Sequence, residues 1–189
     1  MGLRAHLTRL PEARLGALCT DVSEWAALYR DQERMAEEDH ENGRSPFLGG
    51  TDALGYADLD KTWDALVFLL DPARRSVDGA RDETPDPATA SVAGRHPMPE
   101  PCPTEFDHLP RYNTAAETAE VAAALAATGF DALLSEYGPA LGSSRAYTYG
   151  RGRPLADQDV SFIRSRFEDL RAFYAEAARL GQAVLVSLR

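Results

Sequence analysis

The segment from residue 145 to residue 153 carries the most distinctive chemistry in this sequence. It interleaves guanidinium groups with phenols in a glycine-containing stretch, at Arg145, Tyr147, Tyr149, Arg151 and Arg153. Guanidinium groups bind carboxylates and phosphates, and the backbone N–H groups of such a loop can approach an anion closely. We call this segment the Arg–Tyr loop and consider it a contact site for an anionic ligand or an acidic partner. The alternative is a turn whose arginines pair with surface acids. Neither a Walker motif nor GxGxxG is present, so the loop does not indicate nucleotide binding.

A second polar set, formed by Asp60, Lys61 and Asp64, lies within a strongly apolar stretch. If residues 58–70 form a helix, these side chains share its polar side at spacings that favour an ion pair. A structural ion pair is therefore the first interpretation. The second is a site in which Asp60 or Asp64 serves as a base.

Other residues of catalytic or metal-binding type do not assemble into a site by spacing. The run from Glu37 to Glu41 contains metal-ligand types, but adjacent residues of a helix point in different directions, so a solvated acidic helix end is predicted. No nucleophile, base and orienting acid can be combined from spacing alone. We therefore predict no metal site and no cofactor, and we interpret these isolated residues as structural: His6, His96, His108, Ser143, Ser144 and Cys19.

Composition narrows the possible partners. The chain has 189 residues, a formal net charge of -10 and a sequence pI near 4.8. An acidic surface repels phosphate backbones and attracts basic proteins, so a basic protein partner is expected and nucleic acid is not. The two cysteines, Cys19 and Cys102, belong to no CxxC pair, which favours free thiols in a reducing compartment. With no signal-like segment and no apolar run of about 20 residues, a cytoplasmic protein that does not contact membranes is expected.

The N-terminal third predicts a strand followed by helices. Apolar and polar residues alternate from Leu3 to Thr8, as in a strand with one buried and one solvated face. Pro11 then begins a helical stripe that reaches Leu28. A possible break at residues 20–23, where Asp21 or Ser23 could cap a second helix, leaves one helix or two open.

Residues 58–70, DLDKTWDALVFLL, predict the central packing helix. Apolar side chains recur at helical spacing, Asp58 or Asp60 can cap the first turn, and Pro72 prevents continuation. On this interpretation Trp63 is largely buried against the closing helix and the terminal strands. The proline-rich segment 73–110 shows no apolar period and is predicted to be a long loop excursion, with residues 73–103 peripheral to the core.

The C-terminal part has clearer signals. Thr114 and Glu117 match a capping box before an alanine-rich helix that Gly129 ends, and a shorter helix is expected at residues 131–137. A long helix behind Asp157 and a doubly buried strand at residues 183–188 complete the chain. The order of elements predicts one α+β domain over residues 1–189, with several helices around a small sheet that includes both terminal strands. Segments near Tyr112 and Tyr147 are candidates for further strands.

Four separated segments carry a family resemblance. They are the opening strand, DLDKTWDALVFLL, LPRYNTAAETAEVAAAL and FEDLRAFYAEAARLGQAVLVSL, in this order. Together they resemble the YfbM-like family, bacterial proteins grouped as a domain of unknown function. The resemblance implies a small cytosolic α+β protein and brings no established activity, cofactor or catalytic residue. Where that family commonly has Trp-x-x-Leu-His, this chain has Trp63, Leu66 and Val67, so chemistry that used the histidine would not be available here.

Two functional hypotheses follow. The first is a non-enzymatic protein-binding module, comparable to an immunity or antidote protein, and it is favoured by the acidity and by the lack of an assembled catalytic set. The second is an enzyme or binding protein for a small anionic or phosphorylated metabolite, which the Arg–Tyr loop would bind. We favour the first.

Overall fold

A six-stranded antiparallel sheet organises the fold, and the two ends of the chain meet at its centre. The computed structural model describes residues 4–43, 45, 47–71, 85–100, 102, 109–144, 146, 149, 152 and 154–188. In chain order the elements are β1 (Ala5–Leu10), α1 (Glu12–Leu18), α2 (Val22–Glu41), β2 (Leu48–Gly50), β3 (Gly55–Asp60), α3 (Trp63–Leu70), α4 (Pro87–Ala93), β4 (His96–Pro97), β5 (Arg111–Asn113), α5 (Ala115–Ala127), α6 (Phe130–Ser143), α7 (Asp157–Arg179) and β6 (Ala183–Leu188).

The strand order is β2-β3-β1-β6-β5-β4, so β1 and β6, the first and last strands of the chain, are the two central ones. In the register between them, Leu7 lies opposite Val186 and Leu10 lies opposite Ala183. The predicted α+β class, with both terminal strands in one small sheet, is confirmed.

Helices cover both faces of the sheet. Leu7 and Val186 belong to one apolar cluster together with residues of α3, α4, α5, α6 and α7. Leu10 and Leu185 belong to a second cluster on the opposite face, packed against α1 and α2. The prediction of a solvated face on β1 was therefore wrong, since even Thr8 is only 1% exposed.

The predicted central helix is a strand followed by a shorter helix. Asp58, Leu59 and Asp60 end β3, while α3 begins at Trp63 behind Thr62. Neither Asp58 nor Asp60 caps α3. Leu59 is fully buried. Its position fits both the alternation of a strand with Ala57 and the helical spacing with Trp63, so spacing alone could not separate the two structures.

Trp63 does not have the central role that the sequence suggested. It is only partly buried at the margin of the first cluster. The fully buried tryptophan is Trp25 in α2, which is 1% exposed and donates from Nε1 to the Leu18 carbonyl at 3.1 Å. The question of one helix or two is answered by the Asp21 cap, where Oδ1 accepts the Ser23 backbone N–H at 2.8 Å and separates α1 from α2.

The described part of the proline-rich segment packs into the core, so the prediction that residues 73–103 are peripheral is wrong for residues 85–100. Asp86 caps α4, with its Oδ1 accepting the Ala88 N–H at 2.9 Å and the Thr89 N–H at 3.2 Å. The next turn, which contains Thr89, Ala90 and Ser91, is fully buried. Residues 73–84, 101 and 103–108 of the predicted excursion lie outside the described residues.

Asn113, at the end of β5, joins α4 to α7. Its amide donates to the Ala90 carbonyl at 2.9 Å and to the Tyr174 hydroxyl at 3.1 Å, while its Oδ1 accepts the Arg95 N–H at 3.1 Å. Tyr174 in turn donates to the Ser91 carbonyl at 3.0 Å. Burial of polar groups without such partners is costly, so this network fixes α4 against the sheet.

The helix signals in the C-terminal part are mostly confirmed. Thr114 and Glu117 form the predicted capping box. The next helix, α6, is longer than the predicted 131–137, because it continues through Pro139. Asp157 is the first residue of α7 and not its cap; Asp159 instead accepts the Ala156 N–H at 3.1 Å. Of the strand suggested at residues 146–149, Tyr147 and Thr148 lie outside the described set, while Ala146 and Tyr149 belong to no strand.

The two tryptophans give a direct test of this core. Trp25→Ala should lower the free energy of unfolding by about 3–5 kcal/mol, because it removes a fully buried ring. Trp63→Ala should cost less than half as much, because its ring already contacts solvent. Urea unfolding of both variants measures the difference, and equal losses would contradict the placement of the two rings.

Asn113→Ala should lower the free energy of unfolding by about 3 kcal/mol, since two buried hydrogen bonds and one partly buried one are lost at about 1 kcal/mol each. The matched control is Asn42→Ala, which removes an exposed amide that caps α2 by donating to Glu38. The control should change stability by less than about 1 kcal/mol. A similar small loss for Asn113→Ala would show that the network contributes little.

Candidate functional site

Most of the Arg–Tyr loop lies outside the described residues. This applies to Arg145, Tyr147, Arg151 and Arg153, while Tyr149 is described. Tyr149 is 9% exposed and packs into the first apolar cluster. Burial raises the pKa of Tyr149 to about 12, and the carboxylates of Asp159 and Asp60 add to the effect. Its phenol therefore stays protonated near neutral pH and can donate a hydrogen bond.

Tyr149 forms one wall of a cleft along the first turns of α7. The cleft has a volume of about 530 Å³. Its α7 wall presents one helix face, because the residues follow one another at intervals of three and four. The lining residues are Tyr149, Gln158, Asp159, Ser161, Phe162 and Ser165.

Arg166 lies directly behind this wall. It is 6% exposed, and its Nη2 donates to Ser165 Oγ at 3.1 Å. The guanidinium carbon lies 3.7 Å from the centre of the Phe47 ring and 5.4 Å from that of Phe162. Among the residues that the structure describes, the buried Nε and Nη1 atoms have no hydrogen-bond partner. Arg166 therefore holds unused donors beside two lining residues of the cleft.

Asp169 forms an ion pair with Arg166. Its Oδ2 lies 2.9 Å from Arg166 Nη2, although this oxygen forms no hydrogen bond with any residue that the structure describes. Burial raises the pKa of Asp169, the Arg166 charge opposes that shift, and Glu168 adds to it. Arg166 and Asp169 therefore form an ion pair, yet each still has atoms without a hydrogen bond to a described residue.

The structure separates the second polar set of the sequence. Asp60 ends β3 with a positive φ of 49°, and its Oδ1 lies 3.3 Å from Arg4 Nε. Lys61 is exposed in the turn that follows, and Asp64 lies in the first turn of α3. These three residues therefore do not share one helix face.

The structure also forms one pair that spacing did not reveal. His96 Nε2 lies 2.7 Å from Glu117 Oε1, across 21 residues of sequence. Burial alone would raise the pKa of Glu117, but hydrogen bonds from Thr114 and His96 outweigh it and lower the pKa. Glu117 was recognisable only as a capping residue, and the antiparallel pairing of β4 with β5 brings His96 to it.

The acidic run in α2 divides into buried and exposed parts. Asp39 is 3% exposed, and its Oδ2 accepts from the Tyr56 hydroxyl at 3.1 Å and from the Gly50 N–H at 3.2 Å. The solvated helix end predicted for this run therefore excludes Asp39. Its neighbours Glu37 and Glu41 remain exposed.

Glu33, Glu37 and Glu41 form a row on the outer surface of α2, which we call the acidic ridge. They follow one another at intervals of four, so their side chains lie on one line of the helix. All three are exposed. Within the described ranges, none of them lies in an ion pair, whereas Arg34 pairs with Asp31 and Glu38 instead. The ridge therefore presents three uncompensated carboxylates.

Among the described residues, no group of three or more His, Cys, Asp or Glu side chains is arranged to hold a metal ion. In this part of the chain no helix has the length and apolarity needed to cross a bilayer. Cys19 and Cys102 are free thiols, and burial raises the pKa of each.

Comparisons with known proteins show the family and the fold. No curated protein matches the chain. The crystal structure of YfbM from Escherichia coli, a protein of unknown function, is similar, with a TM-score of 0.59 and 18% sequence identity over 98% of this chain and 99% of that one. At this identity the match shows a shared fold. The family model of the domain of unknown function DUF1877 matches residues 1–187. The chain therefore belongs to the DUF1877 family.

Proposed function

We propose that this protein is a non-enzymatic protein-binding module that recognises a partner with a basic surface, in the manner of an immunity or antidote protein. The acidic ridge is the observation that carries this proposal. Its three exposed carboxylates are available for intermolecular ion pairs. The formal net charge of -10 would also steer a basic partner toward the protein over long range.

The repulsion between the ridge carboxylates supports a role in contacts with another protein. Like charges at i and i+4 destabilise a helix by about 0.2–0.5 kcal/mol for each pair. The ridge contains two such pairs, Glu33 with Glu37 and Glu37 with Glu41. Lysine or arginine side chains of a partner would neutralise these charges and remove the repulsion, so binding would relieve a cost that exists in the free protein.

The environment of His96 favours binding over catalysis. Glu117 is committed to its helix cap as well as to His96, since its Oε2 accepts the Thr114 N–H at 2.9 Å. Across the described part of the chain, no hydroxyl or thiol hydrogen-bonds to the His96 ring. A His–Glu pair with no nucleophile beside it in these described ranges supports binding over covalent catalysis.

One observation favours the second candidate, the binding of a small anionic or phosphorylated metabolite. Tyr149 lines the cleft beside α7. It is the one of the five Arg and Tyr residues singled out in the Arg–Tyr loop that the structure describes. Arg145, Arg151 and Arg153 would supply the positive charge in this proposal. Both functions can coexist, because the acidic ridge and the cleft use different elements.

The acidic ridge can be tested with the triple variant Glu33→Gln, Glu37→Gln and Glu41→Gln. Stability should rise by up to about 1 kcal/mol, because two repulsive pairs are removed. Capture of a basic protein from an extract of the cells that produce this chain should fall by about tenfold or more, with a weaker dependence on salt. Denaturant unfolding and quantitative affinity capture measure the two effects.

A matched control removes three acids that are already paired elsewhere. Glu120 pairs with Arg95, Asp131 with Arg164 and Glu168 with Arg171. The variant Glu120→Gln, Asp131→Asn and Glu168→Gln changes net charge equally but should retain capture. If the ridge variant binds the same basic protein as tightly as the parent does, the ridge is not the contact and the proposal fails.

A further inference from the structure

We propose that the cleft beside α7 binds a small organic monoanion, an oxyanion attached to an aromatic or other apolar body, and that Arg166 receives the anionic group. This site lies on a different element from the acidic ridge and does not depend on the protein-binding proposal. It also does not require the arginines of the Arg–Tyr loop.

The unused donors of Arg166 are the first argument. A guanidinium carries five N–H donors and normally uses most of them when it is buried. In Arg166 the Nη2 side contacts Ser165 and Asp169, while Nε and Nη1 are buried without a hydrogen-bond partner in the described part of the chain. An oxyanion is the strongest acceptor for such donors, because the hydrogen bond is charge-assisted.

The aromatic surroundings are the second argument. Phe47 and Phe162 meet edge to face, with their ring centres 6.4 Å apart and their planes at 81°, and both rings contact the guanidinium. These rings hold the cation in place without supplying acceptors. Phe162 is partly exposed and also lines the cleft, so a modest turn of its ring would open a path from the cleft to Arg166.

The lining of the cleft determines the class of ligand. Its volume of about 530 Å³ lies within the usual range for small-molecule sites, about 300–1,000 Å³. Tyr149 and Phe162 offer ring surfaces for an apolar body, and Ser161 and Ser165 offer hydroxyl groups. Among the described lining residues Asp159 is the one acid, and Asp169 lies beside Arg166. Two nearby carboxylates disfavour a dianion, so a monoanion such as a carboxylate fits better than a phosphate dianion.

Asp169 competes with the ligand for Arg166. Its carboxylate lies 2.9 Å from Nη2 and partly neutralises the guanidinium. Replacement by asparagine keeps the size of the side chain and removes this charge. Asp169→Asn should therefore tighten binding of an anion, an effect that a purely structural ion pair would not produce.

The test uses the full chain and titrates it with benzoate, with benzamide as the neutral analogue of the same shape and with inorganic phosphate as the second oxyanion. Calorimetry should show binding of benzoate and much weaker binding of the other two probes. Asp169→Asn should bind benzoate several-fold more tightly, and Ser165→Trp, which fills the cleft from an exposed position, should weaken it about tenfold or more. The matched control Arg164→Gln removes a partly exposed cation that pairs with Asp131, and it should leave the affinity for benzoate within about twofold.

Three results would overturn the proposal. The first is equal binding of benzoate and benzamide, which would show that the negative charge of the ligand does not contribute to binding. The second is the absence of benzoate binding to both the parent and Asp169→Asn at millimolar concentration. The third is binding that Ser165→Trp leaves unchanged. Arg166→Lys provides a further check where it folds, because it retains the charge but lacks the Nε and Nη1 donors and should bind benzoate weakly.

Discussion

The antiparallel pairing of β1 with β6 is the contact on which the other layers depend. Each strand contributes alternately to the two apolar clusters, with Leu7 and Val186 on one face and Leu10 and Leu185 on the other. Without this pairing, the sheet would divide into two three-stranded halves, β2-β3-β1 and β6-β5-β4, each with an unpaired strand at its new edge. The helices on both faces would then lose the continuous sheet surface against which they pack.

The fold class could be predicted from the sequence because the helical stripes and caps of the C-terminal half are long and regular. The predicted helix boundary was wrong where one residue fitted both the two-residue period of a strand and the 3.6-residue period of a helix, as Leu59 did. The helix α4 was missed for a different reason. Its buried turn consists of small residues such as Thr89, Ala90 and Ser91, which pack closely without large side chains. Only Asp86 followed by Pro87 marked its beginning, in the pattern of a cap and a first-turn proline.

The candidate site could be predicted only in part. Glu37 and Glu41 were recognised as a surface feature, but the length of α2 was needed to show that Glu33 continues the row. Arg166 interrupts the apolar stripe of α7 between Ile163 and Leu170, and a charged residue at such a position was a usable signal. The rings that surround it, and the pairing of His96 with Glu117, depend on contacts between distant segments. No local spacing encodes those contacts.

The position of β6 also affects how the chain must fold during synthesis. Of the described elements, β6 is the last to leave the ribosome, yet it lies between β1 and β5. Until it arrives, the inner edges of both strands lack their partner, and such unpaired edges are prone to associate with other chains. Completion of the sheet requires contacts between residues nearly the whole chain apart, which makes folding slow for a protein of this size. The nascent chain, more than the finished protein, is therefore the state most exposed to aggregation.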